Sequence, residues 1–195
     1  MKSNFAPEIS VIIPSYTRGK YIAQAIESIL NQTYKNFELI IVHSHSADGT
    51  FEIINGYKKL DNRISNIYLD SWISPAYSLN KGAKAARGKK IALMNADDIA
   101  DHERFKLQLE YMDKYSLDIC GSCYKYFGVR EDIIWCPQSH GAIAIEMLFR
   151  IIVVASATMA RASIIKNNPY DNNFLLDDYE WPARMIHKAK IGNVP

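Results

Sequence analysis

The first half of the chain alternates between two hydrophobic periods. Ile9, Val11 and Ile13 lie in the run Ile9 to Pro14, which is short, bounded and rich in β-branched residues, as in a strand buried on both faces. Helical spacing follows, because Ile22, Ala25, Ile26, Ile29 and Leu30 recur at i, i+3, i+4, i+7 and i+8 in a stripe that ends near Gln32. Phe37 to Val42 predicts a second buried strand. Asp48 and Thr50 offer caps for a helix carrying Ile53, Ile54 and Tyr57, and Ile64 to Leu69 predicts a third strand. Tyr77 to Ala86 predicts a helix stopped by Gly88. Ile91 to Met94 predicts a fourth strand, and beyond a polar turn comes a helix with Phe105, Leu107, Leu109 and Met112.

Strand, helix, strand, helix implies an α/β fold with a mostly parallel sheet. Right-handed crossovers place helices on both of its faces, and ligands bind in the crevice beyond the strand C-termini. Those strand ends therefore carry the candidate chemistry: Pro14-Ser15-Tyr16, His43-Ser44-His45-Ser46 and Asn95-Ala96-Asp97-Asp98. After Tyr115 the alternation weakens. A strand is expected at Asp118 to Phe127, an irregular stretch to about Gly141, and helices near Ala142 to Arg150 and Asp178 to Lys188. No repeat, linker or low-complexity segment divides the chain, so residues 1–195 read as one domain. Its first half, 1–115, is the ligand-binding part, and 116–195 holds the second substrate.

Composition narrows the class without naming a reaction. A chain of 195 residues can bury a core without disulfides, and 48% apolar with 23% charged residues fits neither disorder nor a membrane protein. The net charge of +2 comes from dispersed Lys and Arg, which disfavours nucleic acid as a partner. Met1 to Glu8 lacks the features of a signal peptide, and no apolar stretch nears the ~20 residues of a membrane span, so a cytoplasmic protein is expected. The five apolar residues Ile151 to Ala155 fit a buried strand or helix turn better than a bilayer contact. Cys120, Cys123, Cys136 and His140 have zinc-knuckle spacing, but on a strand Cys120 and Cys123 point to opposite faces and cannot converge on one ion. His43 and His45 share a face of an extended segment, yet two ligands are too few to define a metal site.

Several segments together resemble glycosyltransferase family 2, whose members have the GT-A fold, a Rossmann-like three-layer α/β/α sandwich. Ile9-Ser10-Val11-Ile12-Ile13-Pro14-Ser15-Tyr16, followed by Ala25 to Tyr34, is similar to the family's first strand and helix. Leu79-Asn80-Lys81-Gly82 with Gly88, then Met94 to Asp98, resembles its next signatures. Asp177-Asp178-Tyr179-Glu180 with Arg184 resembles the acidic pair near its catalytic base. The resemblance implies an inverting transferase that moves a sugar from a nucleoside-diphosphate sugar, a UDP-sugar being favoured, to a hydroxyl of a carbohydrate or glycoconjugate, as in polysaccharide synthesis. It also places Ile191 to Pro195 at an internal point of the family, shortly before a further strand. A truncated chain is therefore expected, whose missing part could hold it peripherally at the inner face of the membrane.

The same resemblance distributes roles. Asp97 matches the last acid of the family's D-x-D motif and would hold Mn or Mg against the donor phosphates, with Asp98 beside it. Asn95 stands where the first acid would be and can bond a donor hydroxyl. Tyr16 would lie near the donor base, on a loop shaped by Pro14 and Ser15. Asp178 would take the proton of the acceptor hydroxyl, with Asp177 raising its pKa by like-charge repulsion or serving as the base itself. Ser44 replaces the family's base-reading Asp and leaves base preference open. Arg18 and Lys20 could approach the phosphates. Plainer readings accompany these: Asn95 to Asp98 as a helix cap, Asp177 and Asp178 as a first helical turn, Arg18 and Lys20 as a solvated face. Two rival functions remain, a degraded member acting as a nucleotide- or partner-binding module, and a nucleotidyltransferase. The second would want a Gly-rich phosphate loop, and Pro14 to Lys20 offers only Gly19.

Overall fold

The computed structural model describes residues 6–173 and 177–195, the side chains of Asp177 and Asp178 excepted. Its core is a seven-stranded sheet of order β3-β2-β1-β4-β8-β5-β9. The strands are β1 (Ile9–Ser15), β2 (Phe37–Ser44), β3 (Ile64–Leu69), β4 (Lys90–Leu93), β5 (Ile119–Ser122), β8 (Met159–Arg161) and β9 (Ile191–Val194); β6 (Tyr124–Lys125) and β7 (Ile133–Ile134) pair apart from it. All neighbours in the sheet run parallel except at β8, which is antiparallel to both β4 and β5.

Helices cover both faces, because β1, β2 and β4 bury side chains on both. Odd-numbered β1 residues Ile9, Val11 and Ile13 pack with α1 (Ile22–Leu30), α2 (Thr50–Leu60) and α4 (Arg104–Tyr115). Ile12 and Ile40 face the other layer: α3 (Pro75–Ala85), α5 (His140–Glu146), α6 (Ala162–Asn167) and α7 (Asp177–Met185), where Trp181 is fully buried. This is the three-layer α/β/α sandwich. Among the described residues, no helix is long and apolar enough to cross a membrane.

Several local expectations change. α3 ends at Ala85 with Ala86 as its cap, and Gly88 serves close packing instead: a Cβ there would sit 2.6 Å from Ser10 N. The cap of α2 is Gly49, in left-handed backbone with φ 80°, while Asp48 still accepts a 3.3 Å bond from Thr50 N. Asp118 to Phe127 is two short strands, β5 and β6, and not one. The segment 151–155 forms no strand and leads into a 3-10 turn, Ala155–Ala157. Ile191–Val194 is itself a strand, seated in register on β5.

Chain order explains where a ligand would bind. From β1 the chain moves outward through β2 and β3, then returns to the other side of β1 with β4. A crevice opens at such a reversal, beyond the carboxyl ends of β1 and β4.

Candidate active site

A cavity of about 370 Å³ occupies that crevice. Its lining brings together Pro14, Ser15 and Tyr16 from the end of β1, Ser44 from β2, and Asn95 and Asp97 from the turn after β4. Arg18, Trp72, Ser78 and Leu79 complete its walls. Part of the lining is aromatic and hydroxylic. Tyr16 meets Trp72 edge to face, with ring centroids 6.5 Å apart and planes at 70°. Ser44 and Ser78 are both buried in the same lining, and the buried Ser15 Oγ has no hydrogen-bond partner among the described residues.

The lining is also charged. Asp97 Oδ2 lies 3.2 Å from Arg18 Nε, both side chains 41% exposed. Arg18 thus belongs to the cavity, whereas Lys20 leans over the Tyr21 ring at 5.3 Å and lines no part of it. Arg18 is held at its backbone by a chain of bonds that starts at Asp48. Burial works against ionisation of Asp48, but bonds from the Thr50 hydroxyl, Gly19 N and Ser46 hydroxyl outweigh it and keep its carboxyl far below the usual carboxylate range. Gly19 N donates to Asp48 Oδ2 at 2.8 Å, and Arg18 N donates to Thr50 Oγ1 at 3.1 Å. Gly19 is required here, since a Cβ would meet Asp48 O at 2.4 Å.

Asp98 faces elsewhere. Its Oδ2 accepts a short bond from the Ser156 hydroxyl, and Ser156 Oγ accepts in turn from Asn95 N at 3.0 Å. Asp98 lines a second, larger cavity of about 730 Å³ between the start of α4, β5 and residues 154–157. The wall between the two cavities rests on Arg104. Its buried guanidinium donates to Leu93 O (2.9 Å), Thr158 O (3.2 Å) and Gln108 Oε1 (3.1 Å), and burial lowers its pKa to about 10. Gln108 Nε2 donates to Cys120 O (3.0 Å) and Ala157 O (2.7 Å), so one Arg-Gln pair ties β4, β5, β8 and the Ser156 turn together.

Asp177 and Asp178 open α7 in backbone, where they stand in its first turn, but their side chains lie outside the described residues. Cys123 and Cys136 lie side by side, Cys123 Sγ accepting from Cys136 N at 3.3 Å, while Cys120 Sγ bonds Gly121 O and His140 Nδ1 accepts from Ile191 N at 3.2 Å. His43 is buried against Phe51 and Tyr68, and His45 bonds the Tyr68 hydroxyl, so both join an aromatic cluster and neither lines the cavity. Among the described residues no three of His, Cys, Asp and Glu converge on one point. The oxygens of Asp97 and Asn95 therefore fit a hard cation that takes its remaining ligands from phosphate and water, and do not fit one caged by protein alone.

Sequence reasoning passed over Trp72, Ser156 and Arg104, and it favoured solvent for Arg18. Trp72 had a signal, a large aromatic in the polar run Asp70-Ser71-Trp72 directly after a strand. Ser156 and Arg104 had none, since their partners are distant in sequence.

Residues 10–169 match the family model Glycosyl transferase family 2. The chain belongs to that family. It is 37% identical over 110 residues to TuaG of Bacillus subtilis (strain 168), which covers 56% of this chain and 44% of that protein. It shares the fold of S. aureus TarS, solved in complex with UDP, with a TM-score of 0.80 at 22% identity over 96% of this chain and 57% of that one. The mannosyltransferase PcManGT from Pyrobaculum calidifontis, in complex with GDP-Man and Mn2+, gives 0.76 at 15% identity over 98% of this chain and 56% of that one. The chain thus spans about half the length of these relatives.

Proposed function

We propose that the chain is the donor-binding and catalytic part of a metal-dependent, inverting glycosyltransferase. A nucleoside-diphosphate sugar, with uridine the favoured base, would be its donor, and a hydroxyl of a carbohydrate or glycoconjugate its acceptor. The observation that carries this reading is the single cavity that gathers Tyr16, Ser44, Asn95 and Asp97 from three strand ends. Its aromatic groups suit a nucleobase, its charged groups a diphosphate. UDP in TarS, and GDP-Man with Mn2+ in PcManGT, support a nucleotide-sugar and a divalent cation as the chemical class.

Tyr16 and Trp72 would hold the base by ring contact, and the Ser44 hydroxyl can both donate to it and accept from it. Asp97 and Asn95 would hold the cation at the diphosphate. A divalent cation there neutralises the negative charge that builds on the departing diphosphate. The Asp178 carboxylate, as general base, would accept the proton of the acceptor hydroxyl as its oxygen attacks the anomeric carbon. One displacement of that kind inverts the configuration. Asp177, one residue away, would favour the protonated form of Asp178 by like-charge repulsion.

Calorimetric titration with UDP, GDP, CDP and TDP, each with Mn and again with EDTA, tests the donor reading. One nucleotide is expected to bind tightly and only with metal; no binding of any would remove it. Asp178→Asn should keep donor affinity and lose transfer. Full turnover in that variant would exclude Asp178 as the base. A nucleotide-binding module without transfer is the second reading, favoured by the neutral Ser44 and Asn95 where the family has acids. It predicts binding without transfer to any acceptor hydroxyl.

A further inference from the structure

Arg18 is fixed at its backbone and exposed at its tip. Arg18 N and Gly19 N are tied to Thr50 Oγ1 and Asp48 Oδ2, while the guanidinium pairs with Asp97 and, among the described residues, donates besides to the Tyr16 and Thr17 carbonyls at 3.3 and 3.2 Å. Thr17 itself is in left-handed backbone with φ 48°, which turns the loop so that Arg18 points inward. An ion pair this exposed holds its partners weakly, so a better partner displaces it readily. A diphosphate is such a partner, because the planar guanidinium matches two phosphate oxygens at once.

We infer that Arg18 is a transferable latch on Asp97. With no donor present, it neutralises Asp97 and keeps a bare divalent cation from settling there. When a nucleoside diphosphate enters, the guanidinium passes to the phosphates and the Asp97 carboxylate becomes available to the cation, so cation and diphosphate bind as a pair. Each raises the affinity of the other by the same factor, as linkage requires. The inference rests on the donor-site reading above and adds what that reading does not contain, a residue that couples the two ligands.

The test is calorimetry on the full chain, as wild type, Arg18→Ala and Arg18→Lys, with Mn alone, with UDP plus EDTA, and with UDP plus Mn. Thermal unfolding confirms that each variant is folded. Arg18→Ala should bind Mn alone up to about fivefold more tightly, because its competitor is gone. It should bind UDP with Mn roughly tenfold to a hundredfold more weakly, the loss expected for a charged hydrogen bond. Arg18→Lys should restore the weak binding of bare Mn and only part of the UDP affinity. Shifts of opposite sign cannot come from a loosened loop, which would weaken both ligands. Weakening of both, or no change in either, overturns the latch while leaving the donor site standing, provided that the wild type binds UDP with Mn. A wild type that binds no nucleotide overturns both.

Discussion

Two cavities meet at the turn after β4, and two adjacent aspartates face one each. Asp97 enters the cavity of about 370 Å³ and is paired with an exposed arginine; Asp98 borders the cavity of about 730 Å³ and is bonded by the Ser156 hydroxyl. Size alone would choose the side away from the proposed donor site. The larger cavity is walled by α4 and by Val154, Ala157 and Phe127, and the acid on its rim already has a short, neutral donor locked by its own bond to the Asn95 backbone. The smaller one sits where three strand ends converge, and its carboxylate has a partner that can leave. A site needs groups whose bonds can be exchanged for those of a ligand, and the exposed Arg18–Asp97 pair is such a group on the smaller side of the turn.

The sharpest way to break this contrast is to remove each acid in turn. Asp97→Ala should abolish Mn-dependent nucleotide binding, a loss of at least about a hundredfold, with the unfolding temperature nearly unchanged because the side chain is half exposed. Asp98→Asn should keep most nucleotide affinity and instead lower stability by about 1 kcal/mol through its bond to Ser156. Equal loss of metal-dependent binding in both variants would mean that the two acids share one ion. The aromatic groups give a smaller effect. Trp72→Ala should weaken UDP by roughly tenfold, the scale of one base stacked on one ring, and should leave inorganic pyrophosphate with Mn unaffected. An equal loss for pyrophosphate would show that Trp72 acts on the loop and not on the base.

The smallest effect belongs to His43, the neighbour of Ser44 on β2. Burial lowers its pKa below the ordinary value, while the Ser15 backbone and the Asp48 carboxylate oppose the shift. In the unfolded chain it titrates near ~6.5. Its contribution to stability is therefore complete above about pH 6.5 and is lost as pH falls from there toward the folded-state pKa, because the unfolded chain takes up the proton first. His43→Phe, stacked on Phe51 in the same place, should flatten the denaturation midpoint between pH 7 and 5. An unaltered slope would assign the acid sensitivity to another group.

Legibility followed the range of the interactions. α1 was readable from Ile22, Ala25, Ile26 and Ile29, all fully buried, because a stripe at 3.6 spacing is written within nine residues. β1 and β2 were readable for the same reason. By contrast, β8 is three residues long and β9 four, too short to show a period; β8 forms between the edges of β4 and β5, and β9 forms on β5. In the site, the strand-end residues from Pro14 to Asp97 were visible once the parallel sheet was inferred, since topology alone sends those ends to one crevice. Trp72 and the Asp98–Ser156 bond were not. The hydroxyl that holds Asp98 comes from 58 residues away, and no spacing rule connects them.

The sequence by itself determined the layer order, the strand whose end carries each candidate group, and the family. Hydrophobic period is a local property, and a crossover rule converts it into topology without further information. Only the tertiary structure decided what each charged group faces. Arg18 was divided between phosphates and solvent until the Asp48 and Thr50 bonds fixed its loop, and Asp98 was read beside Asp97 at the cation until the turn after β4 placed the two in separate cavities. Side-chain direction at a turn depends on which distant backbone and hydroxyl groups are within 3.5 Å, and chain spacing does not encode that.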